Sequence, residues 1–437
     1  MKLMKNLLWI ALFSLASIFS YSQQQIKITS CQAAGILEDR IQWLDTLIMG
    51  YIDRDELNGA VALVAHEGEI GYFKAFGYKN VEQQVPMHKD DIFRLASMTK
   101  PVVCVALMML FEEGRFMLDD PISKFIPEFK NPVILDKFNF EDTTYTTIPA
   151  KREITFRHLL THTSGIGYAQ IGSKEANAMY NKYHIIAGIG DPYHTLDEII
   201  PRLGHLPLFN QPGEAFLYGL NVDVIGYLVE VISGISLDKF LQKRIFEPLE
   251  MKDTYFYLPD DKKYRLVPLY KIPTGGKLEI QDSIVQQSGR LITDYPKLKG
   301  QYFSGGAGLS STAHDYYLFC QMLLNEGTYN EKRILSPVTV RMMTSNQIGD
   351  ILMYGQVHKP SRFGLGFGIF SKYYENTTGI SEGSYEWSGM FASHFWIDPV
   401  ENVVVVIMRN IWPTPHWDLG DRVKPVIYQA LDTISRN

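Results

Sequence analysis

From Val102 to Phe111 the chain runs without one polar side chain, with Pro101 just before the run and Gly114 just after it. A stretch that is apolar on every side predicts a helix buried on all faces. It is far too short to cross a bilayer. Pro101 fits the first helical turn, where its missing N–H forfeits no bond. The fold must therefore supply layers all round one central helix. Ser97 and Lys100 stand three residues apart at its head, on one face. A hydroxyl beside an amine at a buried helix start is one way to make a nucleophile. An isolated Ser-x-x-Lys also arises by chance, as an N-cap serine and a surface lysine, so its meaning rests on partners elsewhere.

On either side of this helix the patterns change. Leu37, Ile41, Leu44, Ile48 and Tyr51 recur at helical spacing. Residues 59–66 and 69–77 read as two strands joined at Glu67-Gly68. Near the other end, 391–397 and 403–408 flank a turn at Asp398-Pro399, and a last helix carries Val423, Ile427, Leu431 and Ile434. Helices fill the middle: 222–233 ended by Gly234, 237–246 stopped by Pro248, and 313–324 with Thr312 as N-cap. The polar, aromatic stretches 129–153, 170–200 and 260–300 read as long loops over a site. The expected class is α/β (α+β): an antiparallel sheet flanked by helices, with an inserted, mostly helical domain. The sheet lobe would take 23–100 and 340–437, and the helical lobe 101–339.

Composition narrows the functional classes. With 437 residues, 46% hydrophobic and 21% charged, the chain is an ordinary globular protein. A net charge of -6 and the lack of a basic cluster argue against nucleic acid as a partner. Cys31, Cys104 and Cys320 have no metal-ligand spacing; Cys104 and Cys320 read as core thiols, and the state of Cys31 is open. Lys2 and Lys5 precede an apolar stretch from Leu7 to Phe19, with small residues Ser20 and Ser22 after it. That is a cleavable signal peptide over 1–22, which implies a periplasmic or secreted protein with no stable membrane insertion after cleavage.

Two more stretches carry the chemistry. Tyr218 follows the turn Gln211-Pro212-Gly213 and precedes the helix near Val222; Trp387-Ser388-Gly389 precedes the strand near Phe391. Together with Phe93-Arg94-Leu95-Ala96-Ser97-Met98-Thr99-Lys100 and His158-Leu159-Leu160-Thr161-His162-Thr163-Ser164-Gly165, they stand in one order. In that order the chain resembles the serine β-lactamase and penicillin-binding-protein superfamily, in its class C-like and family VIII carboxylesterase branches, from about Asn58 to about Asn410. The resemblance implies a β-lactamase/transpeptidase-like fold. It also implies roles: Ser97 as the nucleophile that forms an acyl-enzyme, and Lys100 and Tyr218 as general base and acid, with either as the base. The backbone N–H groups of Ser97 and Met390 would form the oxyanion hole, and Trp387, Ser388 and Gly389 would line the substrate site. No cofactor and no metal are implied.

Two departures bear on substrate. The second motif of β-lactamases and peptidases has Asn two places after its Tyr or Ser, where this chain has Leu220, with Asn221 one later. Their third motif opens with Lys, where this chain has Trp387. A ring in place of a cation disfavours substrates bearing a carboxylate, unless Arg409 compensates. Small ester or amide substrates are therefore expected. A β-lactamase or D-alanyl peptidase, and a non-catalytic sensor on the same fold, are the alternatives; the oligomeric state is open. Gly379-Ile380-Ser381-Glu382-Gly383, with Asp398 and His416 downstream, mimics the elbow of α/β-hydrolases but leads into a strand where that elbow needs a helix. His158 and His162 read as structural histidines, Gly305-Gly306-Ala307-Gly308 as a tight turn near the site, and Tyr168, Tyr180 and Tyr302 as pocket lining.

Overall fold

A computed structural model describes residues 28–169, 171–185, 189, 193–286, 289–356 and 361–432. Residues 1–22, expected to be a signal peptide, lie outside the described residues, as does Ile434. Strands β1 (Gly59–His66) and β2 (Glu69–Asn80) form a hairpin. Glu67 and Gly68 close it at φ 52° and 77°, the positive pair that a two-residue turn between twisted strands requires. With β3 (Val85–Pro86), β4 (Arg362–Phe363), β5 (Gly368–Ile369), β6 (Tyr385–Ser388), β7 (His394–Asp398) and β8 (Val403–Met408) they make one antiparallel sheet, ordered β4-β5-β6-β7-β8-β1-β2-β3.

The two central strands explain the layering. Every residue of β1 and β8 is buried. Their alternate side chains divide between two cores, as the pleat dictates. Val61, Leu63, Ala65, Val404, Val406 and Met408 face the core shared with α2 (Thr99–Glu112) and α4 (Ala313–Leu324). Ala60, Ala62, Val64, Val403, Val405 and Ile407 face the core shared with α1 (Glu38–Asp53) and α5 (Leu419–Tyr428). Covered on both faces, these strands read as continuous apolar runs.

The central helix is as apolar as its sequence requires: Thr99 to Leu110 are all buried, Lys100 included. It packs on α3 (Asn221–Ser233), which Gly234 ends in the left-handed conformation. Thr312 caps α4 by accepting the Asp315 N–H. Other expectations shift. Ser97 lies in a 3-10 turn, Ala96–Met98, that feeds the α-helix. The strand expected from Phe391 starts at His394, because Ala392 adopts φ 71° and breaks the extended run. The last helix stops at Tyr428, one turn short of Leu431. The helix from Leu237 is α-helical to Leu241 and a π-turn over Gln242–Phe246.

All three expected loops contain regular structure; within 260–300, Tyr270–Lys271 pairs with Glu279–Ile280 and Ser283–Gln286 with Gly289–Ile292. Val133–Phe138 pairs with Tyr145–Pro149, and Lys174–Lys182 is a helix capped by the Ser173 hydroxyl. Both are short and polar, so local turn and cap bonds define them without an apolar period; Asp142, for instance, accepts from the Thr144 N–H at the hairpin's end. Among the described residues no helix is long and apolar enough to cross a membrane.

Candidate active site

The nucleophile turn is held from several sides. The Leu95 N–H donates to the Leu309 carbonyl at 2.9 Å, the Leu309 N–H to Thr99 Oγ1 at 3.1 Å, and the Tyr316 hydroxyl to the Met98 carbonyl at 2.8 Å. The fully buried Arg94 guanidinium donates to the Val267 and Thr293 carbonyls. These bonds over-determine the backbone enough to keep Ala96 at φ 45°, a left-handed conformation that costs a non-glycine residue about 1 kcal/mol. That turn presents Ser97, half-buried, above the head of α2.

Three elements converge on Ser97. Tyr218, at the entrance to α3, donates its hydroxyl to Ser97 Oγ at 2.7 Å. Lys100 Nζ lies 3.1 Å from the same oxygen, 3.0 Å from the Tyr168 hydroxyl and 2.7 Å from the Gly306 carbonyl. The ammonium also sits 4.6 Å from the centre of the Tyr218 ring. Burial pushes the Lys100 pKa down to about 7, against the pull of Asp223. A neutral amine can accept the Ser97 proton while still donating to the Gly306 carbonyl, which can only accept. Tyr218 goes the other way: burial raises it well above an ordinary phenol, and the Ser97 contact holds it down in part. A proton near neutral pH is therefore cheaper to place on Lys100 than to remove from Tyr218.

The third motif closes the site from the end of β6. Trp387 lays its ring 5.6 Å from that of Tyr218, and Ser388, exposed, ends β6. Gly389 is required by close approach: a Cβ there would stand 2.3 Å from the Leu95 carbonyl oxygen. Met390 follows in a turn, and the strand ends at Ser388 because the chain must fold back against Leu95 and Ala96.

Other expected residues separate. His162 and Asn221 bond at 2.8 Å, and the Ser164 hydroxyl donates to the Asn221 amide oxygen, so Asn221 braces the 162–164 segment and does not face Ser97. The His162 ring rests 4.7 Å from that of Tyr218. His158 belongs to the cap of the helix Phe156–Leu160. Among the described residues no group of three or more His, Cys, Asp or Glu could hold a metal. Arg409 does not replace the missing lysine: it donates to the Ala392 carbonyl, and Gly420 packs beside it on the α5 face. Tyr180 is buried against Phe209, away from Ser97, whereas Tyr168 is in direct contact with Lys100. In the Ser381 motif, Asp398 accepts the Ser381 backbone N–H and His416 lies beside Tyr51 and Glu56, so no triad forms there. The partners hardest to read from sequence are Tyr168 and Asp223, because neither lies in a local pattern with Lys100.

A serine hydroxyl, a buried lysine and a phenol in mutual contact beside an antiparallel sheet define the active-serine proteins of the β-lactamase/transpeptidase fold. Comparison with known proteins agrees: the chain belongs to the Beta-lactamase family, whose model matches residues 44–424. Among curated relatives, esterase EstB of Burkholderia gladioli is 29% identical over 378 residues, covering 84% of this chain and 89% of the relative. Lovastatin esterase of Penicillium rubens is 30% identical over 311 residues, covering 70% and 73%. Among solved structures, EstCE1, a hydrolase with promiscuous acyltransferase activity, superposes with a TM-score of 0.76 at 26% identity, covering 89% of this chain and 98% of that one. The family is one of serine hydrolases, and these relatives are esterases and acyl-transferring enzymes.

Proposed function

We propose that this chain is an exported hydrolase that cleaves small neutral esters through an acyl-enzyme on Ser97. One observation carries the reading: Tyr218 and Lys100 both reach Ser97 Oγ, at 2.7 and 3.1 Å. Ser97 Oγ attacks the ester carbonyl carbon while its proton passes to Lys100, and the N–H groups of Ser97 and Met390 hold the resulting oxyanion. Collapse breaks the bond to the alcohol oxygen, which leaves with a proton from Tyr218, and Lys100 passes its proton back to the phenolate. Water then attacks the acyl carbon as Lys100 takes its proton, and Ser97 Oγ leaves with the proton of Tyr218, which the lysine restores, freeing the acid. Trp387, Ser388 and Gly389 line the acyl side. With Arg94 and Arg409 turned elsewhere, a neutral acyl group suits the walls better than a carboxylate. Export rests on the sequence pattern of residues 1–22.

The relatives support a second use of the same acyl-enzyme, in which an alcohol or amine takes the acyl group in place of water. The test is turnover of p-nitrophenyl butyrate, a D-alanyl peptide and a penicillin by the protein lacking residues 1–22. Ester turnover above the other two, lost in Ser97→Ala, is expected. Unchanged ester turnover in Ser97→Ala would remove Ser97 from the mechanism, and faster penicillin capture would make the protein a β-lactamase-type enzyme.

A further inference from the structure

Asp223 lies on the first turn of α3 and is fully buried. Its Oδ1 accepts the Ser304 hydroxyl at 2.7 Å. Its Oδ2 lies against Gly306, where a Cβ would stand 2.4 Å from it. The turn that contains Gly306 is clamped to α3 at a second point, since a Cβ on Gly305 would fall 2.3 Å from the Val222 carbonyl oxygen. Ser304 closes the turn from within: its hydroxyl accepts the Ala307 N–H at 3.1 Å, and its carbonyl accepts the Gly308 N–H at 2.9 Å. The Gly306 carbonyl is the oxygen 2.7 Å from Lys100 Nζ. A buried carboxylate thus stands behind the turn whose front holds the lysine.

We propose that Asp223 is a positioning residue for Lys100: through Ser304 and the glycine turn it fixes the Gly306 carbonyl, and its charge sets the pH at which Lys100 becomes the free base. A buried carboxylate without an ionic partner is costly, and a buried ammonium equally so. Placed on two sides of one turn, each lowers the cost of the other. Ser304 bonds one carboxylate oxygen, and glycine at 306 leaves room for the second. Burial raises the Asp223 pKa, and Ser304 and then Lys100 oppose that rise.

The groups facing Lys100 are Cys104 on its own helix, Tyr168, Tyr218 and Asp223 from the elements opposite, and His162 from the adjoining segment. Asp223 is the carboxyl group among them. Burial of the Cys104 thiol raises its pKa to about 12, and burial of both phenols raises theirs. His162 is held neutral by burial.

This inference rests on Lys100 acting as the base, and its test is separable from that reading. The pH profile of kcat/KM on p-nitrophenyl butyrate rises as Lys100 loses its proton. Removing a nearby negative charge destabilises the protonated lysine, so Asp223→Asn moves the acid limb down by about one pH unit or more. Ser304→Ala disturbs the same packing but leaves the charge in place. It is expected to lower the plateau and leave the limb where it was. A limb that stays in place in Asp223→Asn, or that moves equally in Ser304→Ala, overturns the proposal. Should Asp223→Asn fail to fold, Gly306→Ala, whose methyl displaces the carboxylate, is read in the same way. A profile with no acid limb in the unmodified enzyme contradicts Lys100 as base and not the placement of Asp223.

Discussion

Replacing Tyr218 by phenylalanine deletes one oxygen atom and leaves the ring in its stack with His162, Tyr168 and Trp387, whose centroids lie 4.7, 5.5 and 5.6 Å away. The fold should therefore survive, with a melting temperature within a few degrees of the original. What goes is the 2.7 Å bond to Ser97 Oγ and the proton that the phenol supplies. A positioned acid–base group contributes about 10²–10⁴-fold, or roughly 3–5 kcal/mol of barrier. The choice of ester separates the phenol's jobs. A p-nitrophenolate leaves without a proton, whereas an alkoxide does not, so the loss in kcat should be larger for a simple alkyl ester than for the nitrophenyl ester of the same acid. The assay is kcat and KM for both esters, with release of the acyl-enzyme followed separately. Equal losses would confine Tyr218 to activating Ser97 or water. Losses under about three-fold for both would refute its place in the proton path.

Two further outcomes follow from the geometry. Gly389→Ala puts a methyl group 2.3 Å from the Leu95 carbonyl oxygen, so the turn carrying Met390 must retreat; kcat for ester turnover should fall about 10²–10³-fold, the scale of one oxyanion donor, and a near-normal rate would mean that the Met390 N–H is not one. His394 is buried beside Trp396, and burial, with Arg409 and Lys424 adding to it, holds its pKa well below the usual value. Its contribution is complete above the unfolded value of about 6.5 and shrinks below it, because the unfolded chain takes up a proton that the folded one refuses. Burial pushes the carboxyl pKa values of Glu230 and Asp315 up to about 7 and about 6, which pulls total stability the opposite way. The clean readout is therefore the urea-unfolding difference between the unmodified protein and His394→Gln, which should narrow by about 1 kcal/mol between pH 6.5 and 5.5; a constant difference contradicts the assignment.

The sequence alone determined the parts of this protein whose periodicity is enforced by burial. The all-apolar central helix, the hairpin at Glu67-Gly68 and the Gly234 stop depend on local geometry and on which faces must leave water. Ser97, Lys100, Tyr218 and the Trp387 motif were legible for another reason: their spacing and order match a known family. Tertiary structure alone decided which groups meet. Tyr168 reaches Lys100 across 68 residues and Gly306 across 206, and no local pattern encodes such a contact. Arg409 looked available in sequence and is spent on the Ala392 carbonyl, because a residue at a strand end faces whichever layer the pleat assigns it. The protonation of the lysine was likewise out of reach, since it depends on how dry the crevice is and on a carboxylate that folding brings behind it.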